Sequence, residues 1–240
     1  CELLRDLGIE KIFCLELVWD EGYDRLRRKL EQSDGMILPV GSVDISRAME
    51  PDFESTAFRQ LRGLKEKGGV AVKLWKNMTL MGDRYFGKNL RLDDPRYEPI
   101  FRYAGELGLP IVIHVADPPC FFRPTDPENE HFICLSKHPE WSFFRPGIPS
   151  FDEHMRMQEA VIASHPGTSF VVAHVGSYAE NLGCVGEWLH KYPNMVVDTA
   201  ARVDQLGRQP YTSKAFIERY QDRVLFGTDY EGHFDESRTR

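Results

Sequence analysis

No apolar run in these 240 residues approaches the ~20 needed for a membrane-spanning helix, so the sequence encodes no such span. Neither G-x-G-x-x-G nor G-x-x-x-x-G-K-[ST] occurs, which removes the phosphate-cradling turns of nucleotide-binding sheets. The five cysteines (Cys1, Cys14, Cys120, Cys134, Cys184) stand far apart, in no C-x-x-C spacing and in odd number, which argues for reduced thiols over a disulfide or zinc-ribbon framework. Excess basic charge is missing as well: 30 Lys and Arg against 37 Asp and Glu leave a formal charge of -7, without the footprint of a nucleic-acid or anionic-membrane binder. What is present is a globular composition, 42% hydrophobic and 28% charged, with a size suited to one α/β domain over 1–240. A small-molecule substrate is the expected partner, with homo-oligomerisation left open. A cytoplasmic location is the provisional expectation, because the chain opens on Cys1 and the native start is expected to lie upstream.

Seven short runs rich in β-branched residues, at 11–17, 36–43, 69–75, 110–115, 169–175, 195–201 and 223–229, alternate with segments of helical spacing. This rhythm predicts parallel βα units, and without a glycine-rich phosphate turn it favours a TIM-type (β/α)8 barrel over an open doubly wound sheet. Helix ends are legible. Asp94 as N-cap, Pro95 at the first helical position and Gly108 past the stop frame one helix, and Ser150 with Glu153 forms a capping box for another. Further helices are expected at 23–30, 55–66, 179–190 and 213–220. Residues 117–149 break the rhythm with seven of the fifteen prolines and six aromatic residues, and are expected to be a lid-like insertion over the strand ends.

Side chains alternate along a strand, so His114 shares a face with Val112, and the run Phe170-Val-Val-Ala-His-Val places His174 at the end of its strand in the same way. Leu225-Phe-Gly-Thr-Asp puts Asp229 at a third strand end. Two imidazoles and a carboxylate at equivalent C-terminal strand ends suit a divalent cation and are costly as unrelated polar groups inside a barrel. Lys73 lies on the face shared with Gly69 and Ala71, where a buried ammonium needs an anion such as a substrate carboxylate; a surface-snorkelling lysine is the alternative. Asp198 and Arg202 are candidates for substrate contact or for an internal ion pair. Asp117 either faces the same pocket or opens a turn before Pro118. Asp44 and Glu16 are expected to cap or anchor loops. The histidines at 131, 138, 154, 165, 190 and 233 are expected in solvated or capping roles, with His131 and His138 able to reach substrate from the lid.

The chain resembles the amidohydrolase-related family, barrel hydrolases and decarboxylases grouped as amidohydrolase 2, along nearly its whole length. The resemblance rests on Val-Lys-Leu-Trp-Lys-Asn around Lys73, Asp-Asp-Pro-Arg-Tyr-Glu-Pro-Ile at 93–100, His-Val-Ala-Asp-Pro from His114 and Ala-His-Val-Gly-Ser around His174. Asn-Met-Val-Val-Asp-Thr-Ala-Ala-Arg at 194–202 and Leu-Phe-Gly-Thr-Asp at 225–229 complete it. It implies that His114 and Asp229 bind a divalent metal, Zn2+ foremost with Mn2+ or Fe2+ as alternatives, and that His174 is a ligand or the neighbouring acid/base group. It also implies a carbamylated or substrate-binding Lys73. Family members begin with a strand ending in a His-x-His pair, which this sequence lacks, so the barrel is expected to be incomplete, without its first strand and last helix.

Three functions follow as expectations. The leading one is hydrolysis of a small ester, lactone or amide by metal-activated water, with His174 or Asp229 moving the proton. The second is metal-dependent decarboxylation of an aromatic or muconate-type acid, and the third a non-catalytic barrel that binds a small molecule.

Overall fold

The computed structural model describes residues 5–230. Every predicted apolar run yields a strand: β1 Ile12–Leu15, β2 Ile37–Val40, β3 Val72–Leu74, β4 Ile111–Ile113, β5 Phe170–Val172, β6 Met195–Asp198 and β7 Val224–Leu225. All pair in parallel, β1 with β2, and β3 through β7 in unbroken chain order. A parallel bridge from Gly41 to Val72 joins the two sheets, with the Lys73 amide donating to the Gly41 carbonyl at 2.7 Å. Strand order that advances one step at a time is the order of a TIM-type barrel; a doubly wound sheet reverses at its switch point.

The helices that return the chain between strands are α1 Asp20–Leu30, α2 Phe53–Glu66, α3 Glu98–Glu106, α4 Phe132–Lys137, α5 Phe151–Ser164, α6 Leu182–Lys191, α7 Val203–Gly207 and α8 Pro210–Arg219. The capping box of α5 forms as read, Ser150 and Glu153 satisfying each other's backbone amides. Helix α3 starts later than its sequence signals suggest: Tyr97 is its N-cap, while Asp94 accepts from the Arg96 amide at 3.1 Å and holds a preceding turn. None of the described helices is long and apolar enough to cross a membrane.

The strands divide their side chains between two apolar clusters. Val72, Leu74, Ile111, Ile113, Phe170, Val172, Met195 and Val197 pack with helical residues such as Leu61, Ile100, Val161 and Val185. Val40, Ala71, Val112 and Val171 form a second cluster that no helix enters. Period-two alternation produces both: one face of each strand meets the helix layer and the other meets its fellow strands. Ala71 takes the inner face as expected, but Gly69 lies ahead of β3, and a Cβ there would stand 2.3 Å from Leu64 Cδ1 on the helix side. Lys73, His114 and Asp198 follow the inner cluster toward the C-terminal strand ends, so the polar site sits on an apolar floor.

Candidate functional site

His114 directly follows β4, its amide continuing the ladder to the Leu74 carbonyl at 3.0 Å, and its side chain is buried. His174 reaches the same place by another route. The register pairs Ile111 with Phe170, so the position opposite His114 is Ala173, and an extended chain would turn His174 toward the helix layer. The backbone instead leaves the strand through left-handed conformations at His174 (φ 62°, ψ 44°) and Val175 (φ 56°, ψ 49°). The two motifs look alike in sequence but are offset by one residue in space.

Left-handed backbone is costly at a histidine and more so at a β-branched valine, so something must hold it. Asp198 Oδ1 accepts from the His174 amide at 2.8 Å and the Ala200 amide at 3.1 Å, and the Ala200 carbonyl accepts from His174 Nδ1 at 2.9 Å. One carboxylate thus fixes the backbone of His174 and, through Ala200, its ring. The Gln158 amide closes the turn from below by donating to the Gly176 carbonyl at 3.1 Å.

A carbonyl oxygen only accepts, so His174 Nδ1 carries the proton and Nε2 presents a lone pair. That lone pair lies 3.2 Å from His114 Nδ1, with the rings edge to face at 4.2 Å. The other nitrogen of His114, Nε2, faces Asp117 Oδ1 at 3.4 Å, an ion-pair contact too poorly aligned to be a hydrogen bond. Asp117 Oδ2 pairs with Lys76 Nζ at 2.6 Å. Burial pushes the Asp117 carboxyl upward, but His114 and Lys76 overcome it and hold the group well below the usual carboxylate range. Burial lowers the pKa of both histidines, well below the usual value for His174, where His114 and Arg202 add to the effect.

The remaining expected residues are linked to this pair to different degrees. Lys73 is buried and, among the described residues, forms no ion pair; burial lowers its pKa against the opposing charges of Asp198 and Asp229. Arg202 is buried, with Nη1 on the Ala201 carbonyl at 2.7 Å and Nη2 without a hydrogen-bond partner among the described residues. It makes no ion pair with Asp198 within the described residues, although both lie in each other's field. Asp229 is exposed and lies past β7, which ends at Leu225 rather than running to the aspartate. The chain still follows β6 to Gly227, whose amide donates to Thr199 Oγ1 at 3.2 Å, and the charge of Asp229 acts on Lys73, Asp198 and Arg202.

Sequence reasoning missed Lys76 and Glu180. Lys76 stands in the same motif as Lys73 and lies over the rings of Trp75 (5.3 Å) and Phe143 (5.6 Å), the latter from the 117–149 segment. Glu180 follows the His174 turn with both carboxylate oxygens buried and without a side-chain hydrogen-bond partner among the described residues, its pKa raised by burial. No local signal marks it. Within the 117–149 segment, helical turns at Pro119–Phe122 and Pro139–Trp141 flank α4, and Phe122 and Phe143 pack at 5.4 Å. Asp44 caps its turn through the Ser46 amide at 3.2 Å. His154 departs from its expected solvated role: it is fully buried in α5, with Nδ1 at 3.0 Å from the Ser150 carbonyl. His233 and Cys1 lie outside the described residues; Cys14, Cys120, Cys134 and Cys184 are free thiols.

The sequence profile of a family described as amidohydrolase matches residues 41–232. No curated protein matches. Among solved structures, an uncharacterized TIM-barrel protein from Bordetella bronchiseptica is similar at TM-score 0.61 and 16% identity, over 95% of this chain and 68% of that one. The 2,6-dihydroxybenzoate decarboxylase from Rhizobium follows at TM-score 0.55 and 18% identity, over 96% and 76%. The 5-carboxyvanillate decarboxylase of Novosphingobium aromaticivorans, solved with manganese and 4-hydroxy-3-methoxy-5-nitrobenzoic acid, is similar at TM-score 0.52 and 16% identity, over 88% and 59%. These likenesses establish a shared barrel fold.

Proposed function

The chain belongs to the amidohydrolase family, and from that premise we propose that it is a divalent-metal-dependent hydrolase of a small ester, lactone or amide that carries a carboxylate. The histidine pair carries this conclusion. His174 Nε2 presents a lone pair, and His114 Nδ1 presents another when Nε2–H faces Asp117, yet the two nitrogens lie only 3.2 Å apart. With its proton on Nδ1, His114 donates to His174 Nε2 across that gap; with the proton on Nε2, the two lone pairs face each other and a cation between them would satisfy both. Two Zn–N bonds of about 2.0–2.1 Å meeting at a tetrahedral angle set their nitrogens about 3.3–3.4 Å apart, close to the observed separation. The outer partner of His174 fits as well, since metal-binding histidines commonly donate their second N–H to a carboxylate or carbonyl, and Asp117 lies 3.4 Å from the second nitrogen of His114.

His114 Nδ1 and His174 Nε2 would hold the cation, and Asp229 would have to close onto it as the third ligand, because among the described residues its carboxylate does not lie within 4.8 Å of both ring nitrogens; Zn2+ or Mn2+ suits imidazole with carboxylate. When bound, the cation polarises the scissile carbonyl and makes water a stronger acid. The protein's part is positional: Asp117 and Ala200 aim the two rings, Asp229 takes the proton, and Lys73 and Arg202 hold the substrate carboxylate. The segment carrying Phe143 keeps bulk water out. The two buried cations also favour a second reading, in which a substrate carboxylate departs as carbon dioxide, in keeping with the likeness to the Rhizobium decarboxylase.

Metal analysis of His114→Ala and His174→Asn tests the centre: each is expected to lose the equivalent of metal held at the strand ends while circular dichroism is unchanged. Lys73→Met should keep the metal and raise KM for carboxylate substrates. Unchanged metal stoichiometry in both histidine variants refutes the centre. Release of carbon dioxide without a hydrolytic product selects the second reading over the first.

A further inference from the structure

We infer that Cys120, Glu130 and His131 form a second cation site, separate from the strand-end histidines, that takes a thiophilic divalent metal such as Zn2+ and latches the 117–149 segment in place. One ligand atom from each residue lies within 4.8 Å of the others. Sulfur, imidazole nitrogen and carboxylate oxygen together are a zinc-type donor set, and three protein ligands leave a fourth position open.

The three residues are held in mutual position. Asn129, itself buried, donates to the Cys120 carbonyl at 2.8 Å and accepts from the His131 amide at 2.9 Å, so one side chain ties two of the ligand residues together. Arg208 pairs with Glu130 Oε2, leaving Oε1 for the cluster and supplying the kind of outer contact that orients a metal carboxylate. Among the described residues, the ring nitrogens of His131 take no hydrogen bond; the ring rests against Phe121 at 5.3 Å.

Two carboxylates, Glu130 and Glu180, act on the Cys120 thiol, and the Arg208 guanidinium faces all three. The carboxylate of Glu180 has both oxygens buried with no side-chain hydrogen-bond partner among the described residues, and its field reaches Cys120. Burial and the charges of Glu130 and Glu180 push the Cys120 thiol up to about 12. A dication would have to displace that thiol proton: the S–H bond breaks, a sulfur–metal bond forms, and the proton leaves to solvent with no change of oxidation state. Arg208 belongs to the connection between α7 and α8, beyond Arg202, so the filled site would fasten the segment to the loop that follows β6.

Titration of the metal-free whole chain with Co2+ or Cd2+ tests this through the thiolate-to-metal charge-transfer band in the ultraviolet. The strand-end donor set contains no sulfur, so that band reports only the second site and is independent of the function proposed above. It is expected to saturate within two equivalents in the wild-type chain, where the strand-end centre also takes metal, and at one equivalent in His114→Ala, to vanish in Cys120→Ser, and to persist in Cys134→Ser. In His131→Ala the affinity is expected to fall at least about tenfold, the lower end of what even outer-shell changes cost a metal site. His131 is only partly buried, so that variant carries the test if Cys120→Ser does not fold. Absence of the band at saturating metal, its survival in Cys120→Ser, its loss in Cys134→Ser, or unchanged affinity in His131→Ala overturns the site.

Discussion

Replacing Asp198 separates the work of its oxygen from the work of its charge. The side chain is buried, and Oδ1 receives the amides of His174 at 2.8 Å and Ala200 at 3.1 Å. Asp198→Ala orphans both N–H groups, at about 1–3 kcal/mol each, and releases a left-handed turn that costs about 1–3 kcal/mol per residue to hold. Relaxation and entering water recover part of this, so the expected loss is about 3–5 kcal/mol. Asp198→Asn keeps an acceptor oxygen and forfeits only the charge assistance, while sparing the desolvation that raises the carboxyl pKa in the native protein. Its expected cost is about 1–2 kcal/mol. Urea denaturation measures both, and metal stoichiometry reads the site: the alanine variant should lose metal with the His174 ring, and the asparagine variant should retain most of it. Equal destabilisation by the two substitutions would refute the clamp, as would an alanine variant with normal stability and normal metal content.

Gly105→Ala in α3 should destabilise by about 1–3 kcal/mol despite the usual helix-propensity gain of about 1 kcal/mol. Its Cβ would stand 2.4 Å from Thr168 Oγ1 and 3.1 Å from the Gly167 carbonyl, and Thr168 is already tied to the Phe101 carbonyl at 2.8 Å, so a stabilised variant in thermal melts would contradict this packing. Burial depresses the native pKa of His154, so below about pH 6.5 the unfolded chain takes up a proton that the native state refuses, and stability falls as pH falls. His154→Gln should reduce that slope by up to about 1.4 kcal/mol per pH unit, and identical slopes in the two proteins between about pH 5 and 6.5 would show that His154 protonates freely when folded.

The strand runs and their alternation were legible because each strand has one face against helices and the other against strands, and hydrophobic pattern reports that division directly. Helix ends were legible where the signal is local chemistry, as at Ser150 and Glu153, and displaced at Asp94, where the same side chain holds a turn instead. His114, Lys73 and Asp198 could be placed from parity alone. Lys76 and Glu180 could not, because their significance lies in partners brought from elsewhere: Asp117 and Phe143 for one, the absence of a side-chain hydrogen-bond partner among the described residues for the other.

His174 marks the sharpest limit on reading a site from sequence. Two strands ending in histidine invite the inference that both rings enter the site by the same alternation. The register offsets them by one residue, and one residue is enough to turn a side chain to the opposite face. Nothing in Ala-His-Val-Gly-Ser announces left-handed backbone at His174 and Val175, since neither residue favours it. The conformation exists because Asp198, on the next strand, supplies the acceptor that makes it tenable. The inference from sequence therefore placed His174 beside His114 by a path that the backbone does not follow, and the residue that sets the actual path is the one whose role was read as substrate contact or ion pairing. Strain at His174 and the acceptor at Asp198 form one unit, so substitutions at the two positions should be strongly non-additive in stability and in metal retention.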